Sequence, residues 1–521
     1  MRRKIRFAVF VLLFAYLMGT DYARFAPIQW GWLQQCRDEA VSACNSRDVQ
    51  QAELICLTLY LVAFVVRLGH LRRVALPSRA ATSLWNAENL RMACLVSFCG
   101  AALLSFFVGP ASMLGSTDPV VLFWGLAVGK GLRLLKMGQK NRENARQVHE
   151  DILNALLVVL TFSVLLQADW LPQFQYHGRI RWQGPWWNPN TFGLLMAVGL
   201  VLVLGLAWHE FTVKPTSERG RRLNGGFFWL AFYVVALGLM VIGLVNSYSR
   251  GAWLGAAIGL AYLAWQFLRR QKEECRRQKG EDSAGESEFG NRKSEISTGS
   301  CHSRGSRGIL WLRRNWMPLA VILASLAVLA FWSFRHMDAI IARRAFSVAN
   351  VNDLSWRNRL VAYEGGLQMM ATSPWCGFGW DQPKPVYEEF YMPTQLIDSR
   401  VFDLNDYFNT GLALGLPALA CFLTYIWLSL HRHPASNIVH PECSSPATRH
   451  LSLRASCRAG LVILLVGFWL QQGLFWLALG VPFWALLELG DNTEDYSTRW
   501  FQQYGSAGSA STALPHVQNK A

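Results

Sequence analysis

Asn246-Ser-Tyr-Ser-Arg250-Gly-Ala-Trp-Leu-Gly255 sets an arginine between two long apolar runs, one ending near Val245 and the other continuing to Leu268. A permanent charge at that depth of a membrane is costly, and it survives beside a water-filled cavity or an anionic partner. Arg250 therefore marks a site at the membrane face that holds something negatively charged. Composition leaves the class open, because a hydrophobic content of 52% is diluted by long polar loops. The order of the apolar runs decides it.

Stretches long enough to cross a hydrocarbon core of ~30 Å lie near residues 5–19, 52–68, 90–108, 119–135, 151–167, 191–208, 226–245, 251–268, 316–334 and 409–430. A last run, 459–489, carries Gln471, Gln472 and Gly473 at its middle and reads as a hairpin of two short spans. The expected fold is an all-α, polytopic membrane bundle of about twelve helices, with a long, partly helical outer loop. The basic clusters at 1–6, 67–79, 133–146, 214–222 and 269–314 fall on one side if the spans alternate, and that side is cytoplasmic. The first span reads as a retained anchor, since no small-x-small cleavage site follows it.

The formal charge of +16 is the bias of those loops plus attraction to anionic membrane lipids, and calls for no nucleic acid. The 11 cysteines form no CxxC pair or Cys/His ligand spacing, so no metal site is expected. Cys36 and Cys44 share an outer loop, as a disulfide or as two idle thiols.

The chain divides into a first membrane part (1–268), a basic cytoplasmic loop without apolar period (269–315), a span (316–334), an outer loop rich in aromatics (335–408), a last membrane part (409–490) and a polar tail (491–521). Residues 269–315 and the tail read as disordered. Within 335–408, residues 356–371 have helical spacing with Leu360, Tyr363, Leu367 and Met370 on one face, and Ser373–Gly379 ends that helix. Such a loop over a bundle suits a lid.

Four patterns fall in order on the outer side. They are Arg181-Trp-Gln-Gly-Pro-Trp-Trp-Asn188-Pro-Asn190, then Ser247-Tyr-Ser-Arg250-Gly, then Arg359-Leu-Val-Ala-Tyr363 with Pro374–Gly379, and Leu404-Asn405-Asp406-Tyr-Phe-Asn409 with Gly411–Gly415. In that order, over roughly residues 150–430, they resemble the O-antigen ligase and polymerase family of bacterial membrane proteins.

The resemblance implies a metal-independent, inverting glycosyltransferase without a cofactor, at the periplasmic face of the inner membrane. Its implied partners are an undecaprenyl-pyrophosphate-linked glycan donor and a hydroxyl acceptor on lipid A-core, a glycan or a protein. Departure of pyrophosphate needs fixed cations, and a guanidinium fork suits phosphate oxygens. Arg250 matches the family's SRG arginine. Arg359 matches the arginine four residues before its usual tryptophan, here Tyr363, and Arg181 resembles a third arginine of the pattern. Arg250 and Arg359 are thus expected at the reacting centre. Arg181, Asn188, Asn190, Arg357, Asn405 and Tyr363 form the expected substrate-binding set.

Each has a plainer reading. Arg250 reaches lipid phosphate, Arg357 or Arg359 pairs with Glu364 or Asp353, and Asn188 caps a helix that begins at Pro189. Gly251, Gly255 and Gly259 make a stripe for close helix packing. The family's usual histidine is replaced by Leu404, which takes no proton, so the base is expected to be Asp403 or Asp406. The replacement leaves three readings open: a carboxylate-based ligase, a polymerase-like member or an inactive relative. A polysaccharide transporter or exporter is the rival from another class. Lys130, the main charge within a span, reads as snorkelling to the cytoplasmic surface.

Overall fold

The computed structural model describes residues 2–25, 87–108, 118–139, 142–169, 171, 174–176, 179–213, 223–289, 354–380, 382–392, 405–431 and 451–491. These are mostly helical. The helices are α1 (Arg2–Phe25), α2 (Ala87–Val108), α3 (Asp118–Met137), α4 (Arg142–Asp169), α5 (Pro189–Val213), α6 (Leu223–Asn246), α7 (Arg250–Phe289), α8 (Leu354–Thr372), α9 (Asp406–Leu414), α10 (Leu416–His431), α11 (Leu451–Leu470) and α12 (Leu477–Leu489). One antiparallel hairpin departs from the all-α expectation: β1 (Phe174–Tyr176) pairs with β2 (Arg179–Arg181), Phe174 opposite Arg181.

Five of the helices contain windows long and apolar enough to cross a bilayer: Glu143–Gln167, Pro189–Glu210, Phe228–Asn246, Arg250–Arg269 and Ser452–Leu470. Shorter apolar helices occupy Asn89–Ser105, Leu416–His431 and Leu477–Leu489. The expected spans at 52–68 and 316–334 lie outside the described residues, as do Cys36, Cys44 and the tail from 492.

The expected span at 409–430 is divided between α9 and α10 at Gly415, whose φ of 87° only glycine adopts readily. A methyl group there would also lie 2.3 Å from the Trp375 carbonyl oxygen. The final apolar run is broken between Leu470 and Leu477. α7 runs on to Phe289, well into the stretch read as structureless from 269. Residues 271–279, Gln-Lys-Glu-Glu-Cys-Arg-Arg-Gln-Lys, are mostly good helix formers, and an existing helix extends without a new nucleation cost.

α5 is the central post, with 89% of its spanning window buried, whereas the windows of α6 and α7 are 28% buried and present apolar side chains outward. α11 packs against both α5 and α7. Glycines set that closeness: a methyl on Gly255 would lie 3.3 Å from the Ile463 carbonyl oxygen, and one on Gly259 would lie 2.3 Å from Ile463 Cγ1.

One end of the bundle holds a buried charge network. Glu488, near the end of α12, accepts from Lys130 at 2.5 Å and from Arg133 at 2.8 Å, both on α3, and from Arg91 of α2 at 3.3 Å. Asp491 pairs with Arg91 and, at 3.2 Å, with Arg133. The Tyr425 hydroxyl of α10 accepts from Lys130 at 2.7 Å and from Arg91 at 3.1 Å while donating to Glu488. The expectation for Lys130 is corrected: it is buried and its ammonium meets the Glu488 carboxylate instead of snorkelling. The nearby ends of α4 and α5 add Glu150, whose carboxylate meets His209 and Arg146, both at 2.9 Å.

Removing one partner of a buried ion pair strands the others, at about 3–5 kcal/mol. Glu488→Gln is therefore expected to lower the thermal midpoint of the detergent-solubilised protein well beyond any exposed Glu→Gln change. Light scattering or tryptophan fluorescence on heating would measure it.

Candidate functional site

The sequence patterns meet at the other end of the bundle. Asn188 caps α5, its Oδ1 accepting from the backbone N–H of Asn190 at 2.9 Å and of Thr191 at 3.4 Å. Asn190 turns its own side-chain oxygen to Arg181, which donates Nη2–H at 3.2 Å. Arg181 Nε–H donates to the Ser247 carbonyl at 3.0 Å, and Trp182 N–H donates to the Asn246 carbonyl at 3.0 Å. The first pattern is thereby stitched to the second. Arg181 is a strut between the start of α5 and the turn before α7. Trp186 of the same pattern is buried and donates its indole N–H to the Met18 carbonyl at 2.8 Å.

That turn is tightly specified. Ser247 Oγ donates to the Leu244 carbonyl at 2.7 Å and accepts from Ser249 N–H at 3.2 Å. Tyr248 sits at φ 51°, and Ser249 Oγ accepts from Ala252 N–H at 3.4 Å as the cap of α7. A methyl group on Gly193 would lie 2.6 Å from Ser247 Oγ, so only glycine lets α5 approach this turn. The half-buried Arg250 is the first residue of α7, where the helix dipole adds partial positive charge to its own.

The third pattern lies on α8. Arg359 Nη1–H donates to the Leu470 carbonyl at 2.7 Å, and the Tyr363 hydroxyl donates to the Trp469 carbonyl at 3.3 Å. These are orphan carbonyls at the end of α11. Tyr363 also stacks on Phe408, ring centres 5.0 Å apart. The expected apolar face of this helix holds at Met370, which is buried, and is corrected at Leu360 and Leu367. Leu360 and Leu367 are exposed, and the buried side runs through Ala362, Met369 and Met370 with Gly365 and Gly366. The glycines decide this, admitting Tyr387 and Phe408 closer than any side chain would allow.

The segment after α8 clamps onto α9 and α10. Phe378 N–H donates to the Leu412 carbonyl at 2.7 Å, Gly379 N–H to Ala413 at 3.0 Å, and Leu416 N–H to Pro374 at 2.8 Å.

In the fourth pattern Asn405 is the cap of α9, its Oδ1 accepting from Tyr407 N–H at 2.9 Å and Phe408 N–H at 3.4 Å, and it is buried. Asp406, just ahead of the apolar run 409–430, is fully buried, and its Oδ2 accepts from Leu474 N–H at 2.9 Å. Burial raises its carboxyl well above the usual carboxylate range, against the opposing pull of the Leu474 and Gly473 N–H groups. A sealed carboxyl of this kind does not suit proton removal from an entering hydroxyl. Asp403, Leu404, His177, His336 and the side chain of Arg357 lie outside the described residues.

Leu470 joins the second and third patterns. Its carbonyl holds Arg359, and a methyl group on Gly251, next to Arg250, would lie 3.2 Å from Leu470 Cδ1. Alongside lies a cavity of about 380 Å³ lined by Leu254, Tyr407, Val462, Leu465, Val466, Trp469 and Leu470. Its lining is apolar apart from Tyr407, whose hydroxyl donates to the Leu465 carbonyl at 2.8 Å. The α11 residues of this wall carry no motif; the only sequence signal near them is the Gln471-Gln472-Gly473 interruption.

A hydrogen bond from a charged donor is worth about 1.5–3 kcal/mol. Arg181→Ala is therefore expected to loosen the Ser247–Arg250 turn and lower thermal stability by that order. Arg181→Lys, a point donor in place of a fork, is expected to recover only part of it in the same melting measurement.

Compared with known proteins, the whole chain matches none of the curated proteins. Residues 235–423, the stretch that holds Arg250, Arg359 and Asp406, match the family model described as O-Antigen ligase.

Proposed function

We propose that the protein transfers a glycan from an undecaprenyl-pyrophosphate carrier to a hydroxyl acceptor at the periplasmic face of the inner membrane, as a metal-independent, inverting glycosyltransferase. The observation that carries this reading is the meeting of the Arg359 guanidinium and the Arg250 turn at Leu470, beside an apolar cavity. A diphosphate on a lipid needs both neighbours: cations for its charge and apolar walls for the first part of its chain.

In the reaction the acceptor oxygen attacks the anomeric carbon from the face opposite the pyrophosphate. The bond from that carbon to the pyrophosphate oxygen breaks, and the electron pair leaves with the diphosphate. Arg250 and Arg359 neutralise the developing charge, and the start of α7 adds its dipole. Tyr363 lines the approach from the α8 side, and Arg357 of the same helix is assigned to substrate binding. Arg181, Asn188, Asn190 and Asn405 act by holding these elements in place, since Arg181 and the three asparagine side-chain oxygens are engaged with backbone and with one another. The acceptor proton passes to a carboxylate, and burial of Asp406 leaves Asp403 as the base. The acceptor is a lipid A-core sugar, a growing glycan or a protein hydroxyl.

A second reading, movement of a polysaccharide across the membrane, draws on the Arg91–Lys130–Arg133–Glu488–Asp491 network, since charges within a bundle often line a path. A catalytically inactive member is the third, favoured by Leu404.

Transfer assays in membranes separate these. Arg250→Ala and Arg359→Ala are each expected to lower turnover by about a hundredfold or more. Asp403→Asn is expected to do the same while leaving protein levels unchanged. Lipid-linked glycan should accumulate in cells carrying any of the three. Retained transfer in both arginine variants would overturn the assignment, and glycan crossing the membrane without a new glycosidic bond would replace it with transport.

A further inference from the structure

Asp406 has a role that neither the motif nor the base hypothesis assigns. Its carboxyl is buried at the first turn of α9, and among the described residues no lysine, arginine or histidine pairs with it. What it touches is the connector between α11 and α12. Leu474 N–H donates to Oδ2 at 2.9 Å, and Gly473 N–H contributes a second backbone contact. Oδ1 is buried without a hydrogen-bond partner.

The connector is itself sealed, with Leu474 and Phe475 buried. A methyl group on Gly473 would lie 2.4 Å from Leu479 Cδ1. Buried backbone N–H groups need acceptors, and here the acceptor is a side chain from another helix. Three residues upstream of Gly473 is Leu470, whose carbonyl holds Arg359, and before it Trp469, whose carbonyl holds Tyr363.

We infer that Asp406 is a positioning residue: its carboxyl fixes the Gln471–Trp476 connector, and through it the two α11 carbonyls on which Arg359 and Tyr363 rest. A buried carboxyl with no cation beside it is stable in its protonated form, for which an asparagine amide is the near-isostere. The inference rests on the transferase reading for its kinetic consequence and on geometry alone for its structural one.

Both are read on the purified full-length protein. Asp406→Asn keeps an oxygen acceptor for Leu474 N–H. Turnover is expected within about threefold of wild type, with the same pH profile of kcat/KM. Asp406→Ala removes the acceptor and is expected to lower kcat/KM by about tenfold or more. Hydrogen exchange by mass spectrometry on peptides covering 465–480 is expected to quicken in Asp406→Ala and to match wild type in Asp406→Asn. Asp406→Ser, a smaller change than Ala in polarity, serves if the alanine variant does not fold, and is expected to fall between the two.

An Asp406→Asn protein with wild-type exchange but no turnover would overturn the inference, because an ionised Asp406 would then be the base. Wild-type turnover and exchange in Asp406→Ala would overturn it as well. If wild type transfers no glycan yet the exchange pattern holds, the transferase reading falls and the positioning role stands.

Discussion

The carbonyls at the end of an α-helix have no partners within it, and at the end of α11 two of them draw in side chains from α8. Arg359 takes Leu470 and Tyr363 takes Trp469, so a helix more than a hundred residues distant in sequence is anchored to the bundle there. Tyr407 of α9 reaches the same wall one turn earlier, at Leu465. Because α11 is interrupted after Leu470, these carbonyls end a helix at residues that line the cavity instead of lying within a longer helix. The break is therefore the constraint from which the rest of the site follows. It frees the carbonyls, exposes the apolar wall and needs Asp406 to satisfy its own backbone.

The two ends of the bundle solve different problems with charge. At one, three cations, two carboxylates and Tyr425 neutralise each other inside the protein and bind α2, α3, α10 and α12 together. Such a network is satisfied internally, and breaking it exposes bare charge to a low dielectric. At the other end Arg250 and Arg359 sit beside helix termini and an apolar cavity. An arrangement of cations around helix ends is suited to an anion that arrives and leaves.

Several features of the site are visible in the chain before any coordinates. Asn188-Pro189 announces a helix start, and the structure has one there. Ser249-Arg250-Gly251 announces a charge at a membrane face, and Arg250 opens a long apolar helix. The glycine stripe at 251, 255 and 259 announces close packing, and its partner turns out to be α11. Other readings fail for physical reasons. The apolar spacing of α8 points to Leu360, Tyr363, Leu367 and Met370; Met370 is buried, but Leu360 and Leu367 are exposed because Gly365 and Gly366 turn the side where the backbone comes closest toward the bundle. The polar stretch after 269 shows no apolar period, yet α7 continues to Phe289, and through Lys279 its good helix formers extend the helix without a new nucleation cost. Lys130 reads as a snorkelling cation until Glu488, hundreds of residues away, is found beside it.

Local order in the chain determines which segments are apolar helices, where several of them start and stop, and which arginines fall at their ends. These follow from hydropathy, capping and backbone preferences, all of which act over a few neighbouring residues. Tertiary structure alone decides that Leu470 is where two patterns meet, that Arg181 braces a turn, and that Asp406 is sealed against a backbone connector. Those outcomes depend on which distant donor reaches which unsatisfied carbonyl, and on which carboxyl is cut off from water. Neither is encoded by any residue's sequence neighbours.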